Sequence, residues 1–469
     1  MASPLDYLQR STDHPWLICP DSEPLDWLLQ QRIDDLSRYP SPRRILLTDR
    51  HPVSFLAGYL AACATNQAVF LGNPDWGQAE WQQVMELVRP QVIWGEGKGD
   101  GRDGEDGEDG EGESSPFLAS ASSSSNTPAA TIMIPTGGSS GQVRFAMHTW
   151  DTLAASVQGF RQHFQVDQVN VCCVLPLYHV SGLMQAMRSL LSGGNLVVQP
   201  FKQLEAGDLI PDQPSDYFLS LVPTQLQRLL QNSTQAEWLT RFRTILLGGA
   251  PAWPELLQQA RQLGIRLSLT YGMTETASQV VALRPEEFLQ GQSASGSVLP
   301  HARLTIQSET GVVLPVGTVG RISLAADSLA WGYYPVPFGD RTCYQPDDLG
   351  YLDHQGYLHI VGRSSDTIIT GGEKVFPAEV EAAIRATGLV QDVVVLGLED
   401  RLWGQMVTAV YVSPPTPGLT EGLQQALRGK LSPFKQPKYW IRVDHLPRNA
   451  QGKLNRSALK ALAKQQLGI

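Results

Sequence analysis

Four short stretches of the sequence carry residue types suited to a charged, phosphorylated ligand. Thr136-Gly137-Gly138-Ser139-Ser140-Gly141-Gln142-Val143-Arg144 follows the apolar run Thr131-Ile132-Met133-Ile134-Pro135, which reads as a buried strand. The glycines free the backbone to curl with its N–H groups pointing inward, a nest that suits a polyphosphate. Arg144 adds a cation that neither burial nor pH readily discharges. A plain Ser/Gly surface turn is the competing reading. The loop is not a P-loop, because no Lys-Ser or Lys-Thr follows Gly141. The other stretches are Tyr271-Gly272-Met273-Thr274-Glu275-Thr276, Gly362-Arg363 and Gly452-Lys453. Glu275 offers the hard oxygen ligand that Mg2+ favours; a helix N-cap at Thr274 followed by a first-turn Glu275 is the competing reading. Arg363 and Lys453 supply a planar and a flexible cation. Taken alone, each is an ordinary surface charge.

These residues need a scaffold, and the pattern around them supplies one. Strands are expected at Arg44–Thr48, Ala68–Leu71 and Gln91–Trp94, with helices at 22–36, Pro52–Ala64 and Trp76–Val88. After the glycine loop the rhythm resumes. Strands at 171–175, 195–199, Tyr217–Leu221, Thr244–Leu247 and 266–270 alternate with helices at 182–191, 224–230 and 254–263. Such alternation argues for parallel βαβ units. Thr136–Arg144, Gly248-Gly249-Ala250 and Tyr271–Glu275 all follow strands, and ligands of open α/β sheets bind at that edge. From about Ser295 the texture shifts to short strands and turns, and residues 363–469 read as a separate compact α+β unit, with helices expected at 377–386 and 423–431. The expected class is α/β: a large N-terminal domain of parallel βαβ sheets with a small β-rich subdomain, residues 1–362, then a small C-terminal α+β domain, residues 363–469.

A chain of 469 residues exceeds what one core usually serves. The net charge of −10 is concentrated. Nine acidic residues between Gly95 and Ser115, against Lys98 and Arg102, give −7, which leaves −3 for the rest by subtraction. That remainder argues against nucleic acid as a partner. Residues 95–129 are Gly/Asp/Glu-rich and then Ser-rich, a composition that buries no apolar surface and predicts a disordered insertion. Its Asp-Gly-Glu pattern lacks a full calcium loop. Five cysteines without metal-ligand spacing predict free thiols in a reducing compartment. The N-terminus lacks a signal-peptide pattern and no apolar run is long enough to span a bilayer, so a soluble, cytoplasmic protein is expected. Nothing in the pattern assigns an oligomeric state.

In this order, the four stretches resemble the adenylate-forming acyl-CoA synthetases, the superfamily that also holds luciferases and peptide-synthetase adenylation domains. The resemblance covers about residues 130–456. It implies ATP and coenzyme A as co-substrates, Mg2+ as the metal, and a small carboxylic acid as the molecule activated. On the matching positions it places Thr136, Gly137, Gly138, Ser139, Ser140, Gly141 and Arg144 at the β- and γ-phosphates, although Gln142 and Val143 stand where the family has Lys and Pro. Thr274 falls at the α-phosphate and Glu275 on the metal. Gly248, Gly249 and Ala250 flank the adenine, with Tyr271 and Gly272 opposite. Asp348 and Arg363 match the ribose contacts; Pro346-Asp347 replaces the usual Thr-Gly before Asp348, which leaves a register one residue earlier open. Lys453 matches the mobile lysine of the adenylation step. Gly371 and Gly372 match the turn beside the pantetheine arm, a plain tight turn being the alternative. The resemblance also implies that the C-terminal domain is mobile, rotating near 364–365 between the two half-reactions.

The acyl group is read from Leu175-Pro176-Leu177-Tyr178-His179-Val180-Ser181-Gly182-Leu183-Met184. This run is most similar to the o-succinylbenzoate–CoA ligases of menaquinone and phylloquinone synthesis, and the implied substrate is an aromatic carboxylate. His179 and Ser181 then fall beside the acyl pocket, with a satisfied core histidine as the alternative. Arg188 lies on the polar stripe Gln185/Arg188/Ser189/Ser192. It either faces solvent or pairs with a second carboxylate of the substrate. Another aryl- or acyl-CoA ligase, or a non-catalytic nucleotide-binding member of the fold, are the other readings.

Overall fold

The computed structural model describes residues 16–19, 24–39, 42–96, 131–137, 142–448 and 454–468. Four sheets carry them. A seven-stranded sheet runs in the order Val336–Pro337, Gly332–Tyr333, Val143–His148, Ile132–Gly137, Ala68–Leu71, Arg44–Thr48, Val92–Gly95. Its last four strands are parallel to one another. An eight-stranded sheet runs Leu17–Ile18, Leu196–Val198, Asn170–Cys173, Tyr217–Leu221, Thr244–Leu247, Leu267–Met273, Ser278–Ala282, Ser297–Val298. Its first six strands are parallel and the last two antiparallel. These are the βαβ units that the alternating pattern predicts.

Helices Pro52–Ala64, Trp150–Phe164 and Val180–Ser192 contribute to a core shared by both sheets. Ile45 and Leu71 from one sheet join Val171 and Val198 from the other in one apolar cluster with Tyr59, Leu60, Phe160 and Leu183. The first of these helices is apolar nearly all round, as a helix covered on every side must be. The alternation left several elements unassigned, among them Trp150–Phe164 and Val143–His148, which pairs antiparallel with Ile132–Gly137.

Strands Ala302–Gln307, Gly320–Ala326, Asp348–Leu352 and Leu358–Arg363 form a four-stranded antiparallel sheet. The last sheet is built wholly from residues 368–443, with Gly404–Val412 at its centre. Two further apolar clusters draw on residues 368–467 alone. The helix expected at 423–431 occupies Leu419–Leu427 instead. Gly418 opens it with φ 74°, and Gly429, with φ 77°, stands in the left-handed conformation that stops any continuation. Of the acidic insertion, Gly95 and Glu96 are described; the rest of that expectation lies outside the described residues. Glu96 pairs with Arg50 at 3.0 Å.

Candidate active site

The strands flanking the glycine loop and the Tyr-Gly-Met-Thr-Glu stretch come from different sheets. The junction between them is direct. His148, at the end of its strand, meets the carbonyl of Thr274 at 2.8 Å through Nε2 and Thr152 Oγ1 at 3.1 Å through Nδ1. Burial pushes its pKa down to about 4, so the imidazole is neutral and its N–H can donate to that carbonyl. The backbone N–H of Ala330 donates to Glu275 O (2.8 Å) and that of Trp331 to Met147 O (2.7 Å), which ties the segment before Gly332 to both strands.

Thr274–Thr276 form a single 3-10 turn, and Ala277 and Ser278 that follow have φ 50° and 85°. Two successive non-glycine residues in that region store strain, which packed surroundings must hold in place. Here Ser156 Oγ donates to Ala277 O (2.7 Å), Ser328 Oγ to Thr276 O (2.8 Å) and Thr276 Oγ1 to Ser278 O (2.7 Å). The bent turn buries the Glu275 side chain and gives its carboxylate a short hydrogen bond from Tyr333 OH. Tyr344 OH lies 3.2 Å from the Tyr333 oxygen, and Arg144 stacks over the Tyr333 ring at 4.5 Å. Burial, with Glu275 nearby, pushes Tyr344 up to about 12 and Tyr333 higher still, so both phenols remain donors. Tyr333 and Tyr344 escaped the sequence reading; their only signals were the aromatic pair before Pro335 and a lone tyrosine near Asp348.

Gly272 is required by close approach. A Cβ there would lie 2.1 Å from Ser278 O and 2.5 Å from Gln279 Cα, and Gly272 pairs with Gln279 across a bulge. One residue earlier, Tyr271 OH donates to Asp348 Oδ2 at 2.8 Å. Arg363, in register opposite Asp348, brings Nε to 3.5 Å from Oδ1. Burial raises the Asp348 carboxyl, with Tyr271 and Arg363 pulling it back. Asp347, one residue earlier, turns away to accept from Ser365, so Asp348 is the acid that faces Tyr271. The Gly248-Gly249-Ala250 loop presses on the same strand, where a Cβ on Gly248 would meet Thr270 Oγ1 at 2.5 Å. Gly371 and Gly372, with φ 58° and 85°, form the two-residue turn between strands Ile368–Thr370 and Glu373–Val375, the geometry that requires left-handed residues. That turn lies against Trp403, and neighbouring Lys374 pairs with Glu309 at 3.9 Å. No hydrogen bond or ion pair among the described residues ties it to Glu275 or Asp348. Thr136 is half-buried opposite Arg144. Gly137 ends that strand. Gly138, Ser139, Ser140, Gly141 and Lys453 lie outside the described residues.

On the other flank, His179 caps helix Val180–Ser192, with its ring 4.5 Å from that of Tyr178. Ser181, Gln185 and Arg188 share one helix face, and Gln185 Nε2 donates to Ser181 O at 2.9 Å. Three of the four residues of the stripe that could have faced solvent are buried: Gln185, Arg188 and Ser189 are at most 2% exposed, and Ser192 is half-buried. The N-terminal segment and helix Trp150–Phe164 cover it, through Trp16 Nε1 donating to Ser189 Oγ (2.6 Å) and Phe160 beneath the Arg188 guanidinium (4.5 Å). Arg188 Nη2 donates to Ser278 Oγ (3.1 Å) and Gln279 Oε1 (2.9 Å). Arg188 thereby touches the strained bend that follows the Glu275 turn.

Residues 41–334 match the model of the AMP-binding enzyme family, and residues 379–453 match that of the AMP-binding enzyme C-terminal domain. The chain belongs to the AMP-binding enzyme family. Among its relatives, the 2-succinylbenzoate–CoA ligase of Geobacillus sp. (strain WCH70) is 34% identical over 71% of this chain and 69% of its own length. That of Enterococcus faecalis is 32% identical over 69% and 68%. In fold, the chain superposes on the o-succinylbenzoate CoA synthetase of Bacillus subtilis in complex with the acyl-adenylate intermediate OSB-AMP, with TM-score 0.79, 23% identity and 97% of each chain covered. It also superposes on ATP-bound MatB from Rhodopseudomonas palustris, with TM-score 0.80, 23% identity, and 99% and 100% covered. Among the described residues of this AMP-binding enzyme, no group of three or more His, Cys, Asp and Glu side chains could hold a metal by itself, and no helix is long and apolar enough to cross a membrane.

Proposed function

We propose that this AMP-binding enzyme is a 2-succinylbenzoate–CoA ligase of menaquinone or phylloquinone synthesis. The supporting observation is Arg188: a guanidinium 2% exposed, whose hydrogen-bond partners among the described residues are neutral, beside the turn that carries Glu275. Holding a charge there is expensive unless an anion joins it, and an acid with a second carboxylate brings that anion. The likeness to 2-succinylbenzoate–CoA ligases at 31–35% identity supports the same reading.

The reaction then has two steps. A substrate carboxylate oxygen attacks the α-phosphorus of ATP, and pyrophosphate leaves. The thiol of coenzyme A, giving up its proton, attacks the acyl carbonyl, and AMP leaves. Tyr271, Asp348 and Arg363 hold the nucleoside, with Asp348 accepting from ribose hydroxyls. Arg144 and the glycine loop hold the outer phosphates, and Thr274 the α-phosphate. The buried Glu275 carboxylate, oriented by Tyr333, suits Mg2+, a hard cation that takes few protein ligands and relies on phosphate oxygens for the rest. When bound, that ion neutralises phosphate charge. Lys453 brings a cation to the crowded oxygens of the adenylation step. Residues 363–469 act as a mobile unit that presents Lys453 in the first step and the Gly371–Gly372 turn in the second, a soluble cytoplasmic enzyme being expected. Pyrophosphate release and thioester formation, measured against a panel of aryl and acyl acids, test the proposal. 2-Succinylbenzoate should give the highest kcat/KM, and a better monocarboxylic acid would refute it.

A further inference from the structure

Arg188 does not stand alone in its pocket. Gln279, 5% exposed, accepts from Arg188 through Oε1 and leaves Nε2 with no acceptor; the Arg188 Nε also lacks one. His301, 9% exposed, has neither ring nitrogen partnered. It fits against helix Trp150–Phe164 because residue 159 has no side chain: a Cβ there would lie 1.8 Å from His301 Nδ1. The next residue, Phe160, is the ring beneath Arg188; burial pushes His301 down to about 4, against the charge of Asp327, with the Arg188 charge adding to the push. Three neighbouring buried side chains therefore present donors with nothing to receive them.

Buried donors without acceptors are costly, and native interiors rarely keep them. A carboxylate has two oxygens and about four accepting positions, enough for Arg188 Nε, Gln279 Nε2 and one His301 N–H together. Internal water would satisfy the donors without answering the Arg188 charge. We propose that Gln279 and His301 complete, with Arg188, a binding site for the substrate carboxylate that is not activated. The inference rests on the reading that this chain activates an acid with two carboxylates. It adds two specificity residues that the nucleotide motifs do not contain. Gln279 is fixed from the nucleotide side, since its strand position opposite Gly272 sets where its amide lies. His301 is fixed from the far side by the helix that also carries Phe160.

The test compares 2-succinylbenzoate with the two mono-acids obtained by replacing one or other of its carboxylates with hydrogen, and uses the mono-acid that turns over. Gln279→Leu and His301→Phe should each raise KM for the diacid by about ten- to a hundredfold, the scale of losing one hydrogen bond to a charged group. KM for that mono-acid and for ATP should stay unchanged. His301→Gln, which keeps a donor, should restore most of the diacid preference and guards against a folding defect. Gln279→Glu places a carboxylate on Arg188 itself and should invert the preference toward the mono-acid. Equal losses on both acids, or a diacid preference that survives Gln279→Leu and His301→Phe, would overturn the inference. If Arg188→Ala then still abolishes the preference, the substrate reading stands and only these two residues fall. A wild-type enzyme that prefers the mono-acid overturns both.

Discussion

The two flanks of the Glu275 turn hold their charged groups by opposite means. On the flank proposed to hold the nucleotide, charges are paired in place and partly wet: Asp348 already has Tyr271 and Arg363, and the Arg363 side chain is 56% exposed. In the proposed function such a flank is preorganised and takes a nucleotide of the right shape at little cost. On the acyl flank, Arg188, Gln279 and His301 are buried and short of acceptors. In the proposed site that flank is completed by its ligand alone and would discriminate: a site whose buried polar groups are left unpaired rejects the analogue that lacks the missing partner. The strained Ala277–Ser278 bend joins the two, with Glu275 two residues before it and the Ser278 hydroxyl on Arg188.

The comparison breaks first at the nucleotide flank, where the expected effects are largest and blind to the acid. Glu275→Gln should slow acyl-adenylate formation by ~10²-fold or more for every acid tested, and Lys453→Ala by a similar factor, the scale of losing one charge-stabilising group in a transition state. Single-turnover assays of the half-reactions, run apart, separate the two residues' roles. Lys453→Ala, given preformed acyl-adenylate, should still transfer the acyl group to coenzyme A at near the normal rate, while Gly372→Leu should adenylate well and fail at the thiol step. Equal slowing of both halves by Lys453→Ala would remove the two-orientation reading. Asp348→Asn belongs to the same class at smaller size, raising KM for ATP by about tenfold whichever acid is present.

Arg188→Ala is the acyl counterpart and should be selective. Losing a buried charged partner costs about 2–5 kcal/mol, which raises KM for the diacid by about thirtyfold or more and leaves the mono-acid nearly unaffected. A uniform loss would move Arg188 from specificity to general scaffolding.

How legible each flank is in the sequence follows from the same contrast. Tyr271, Thr274, Glu275, Asp348 and Arg363 lie in contiguous runs at strand ends, where turn glycines mark the backbone, and the strands Arg44–Thr48, Ala68–Leu71, Tyr217–Leu221 and Thr244–Leu247 have the limits their apolar runs predict. Gln279 and His301 carry no such mark. One sits in an apolar strand and the other after Leu299-Pro300, and they converge only because Gly159 leaves room and Gly272 lets a strand close in. Burial of the Arg188 stripe was likewise unreadable from helix periodicity, since its cover comes from Trp16, which is 173 residues away along the chain from Ser189.

Acid should act on both flanks alike. His148, behind the Glu275 turn, and His301, beside Arg188, are each pushed down to about 4 by burial, as is His163 on helix Trp150–Phe164. The unfolded chain keeps these groups near the ordinary value of about 6.5, so on acidification it binds protons before the folded chain does. Their stabilising contribution is complete above about pH 6.5 and is lost as the pH falls from there through about 4. The melting temperature should fall across that window. His163→Gln should shallow the fall without changing KM for either substrate; an unchanged slope would show that acid acts elsewhere.

The smallest effect is expected from the acidic insertion, and the sheet order states the condition. Strand Val92–Gly95 is at one edge of its sheet, and strand Ile132–Gly137 lies three places in, parallel to it. The connection must cross three strand spacings, roughly 14 Å. It must also return along the strands, because Gly95 pairs with Thr48 whereas Ile132 pairs with Val69, itself opposite Ile45. Parallel crossovers need about a dozen residues or more. Replacing residues 97–125 with about ten Gly/Ser residues meets that need together with the seven retained residues, Glu96 and Asn126–Thr131. It removes a composition that buries no apolar surface, so turnover and melting temperature should stay within error of the parent. Replacement by two or three residues leaves the crossover short and should lower the melting temperature by several degrees. Loss of stability at both lengths would show that the acidic sequence itself, and not its reach, supports the sheet.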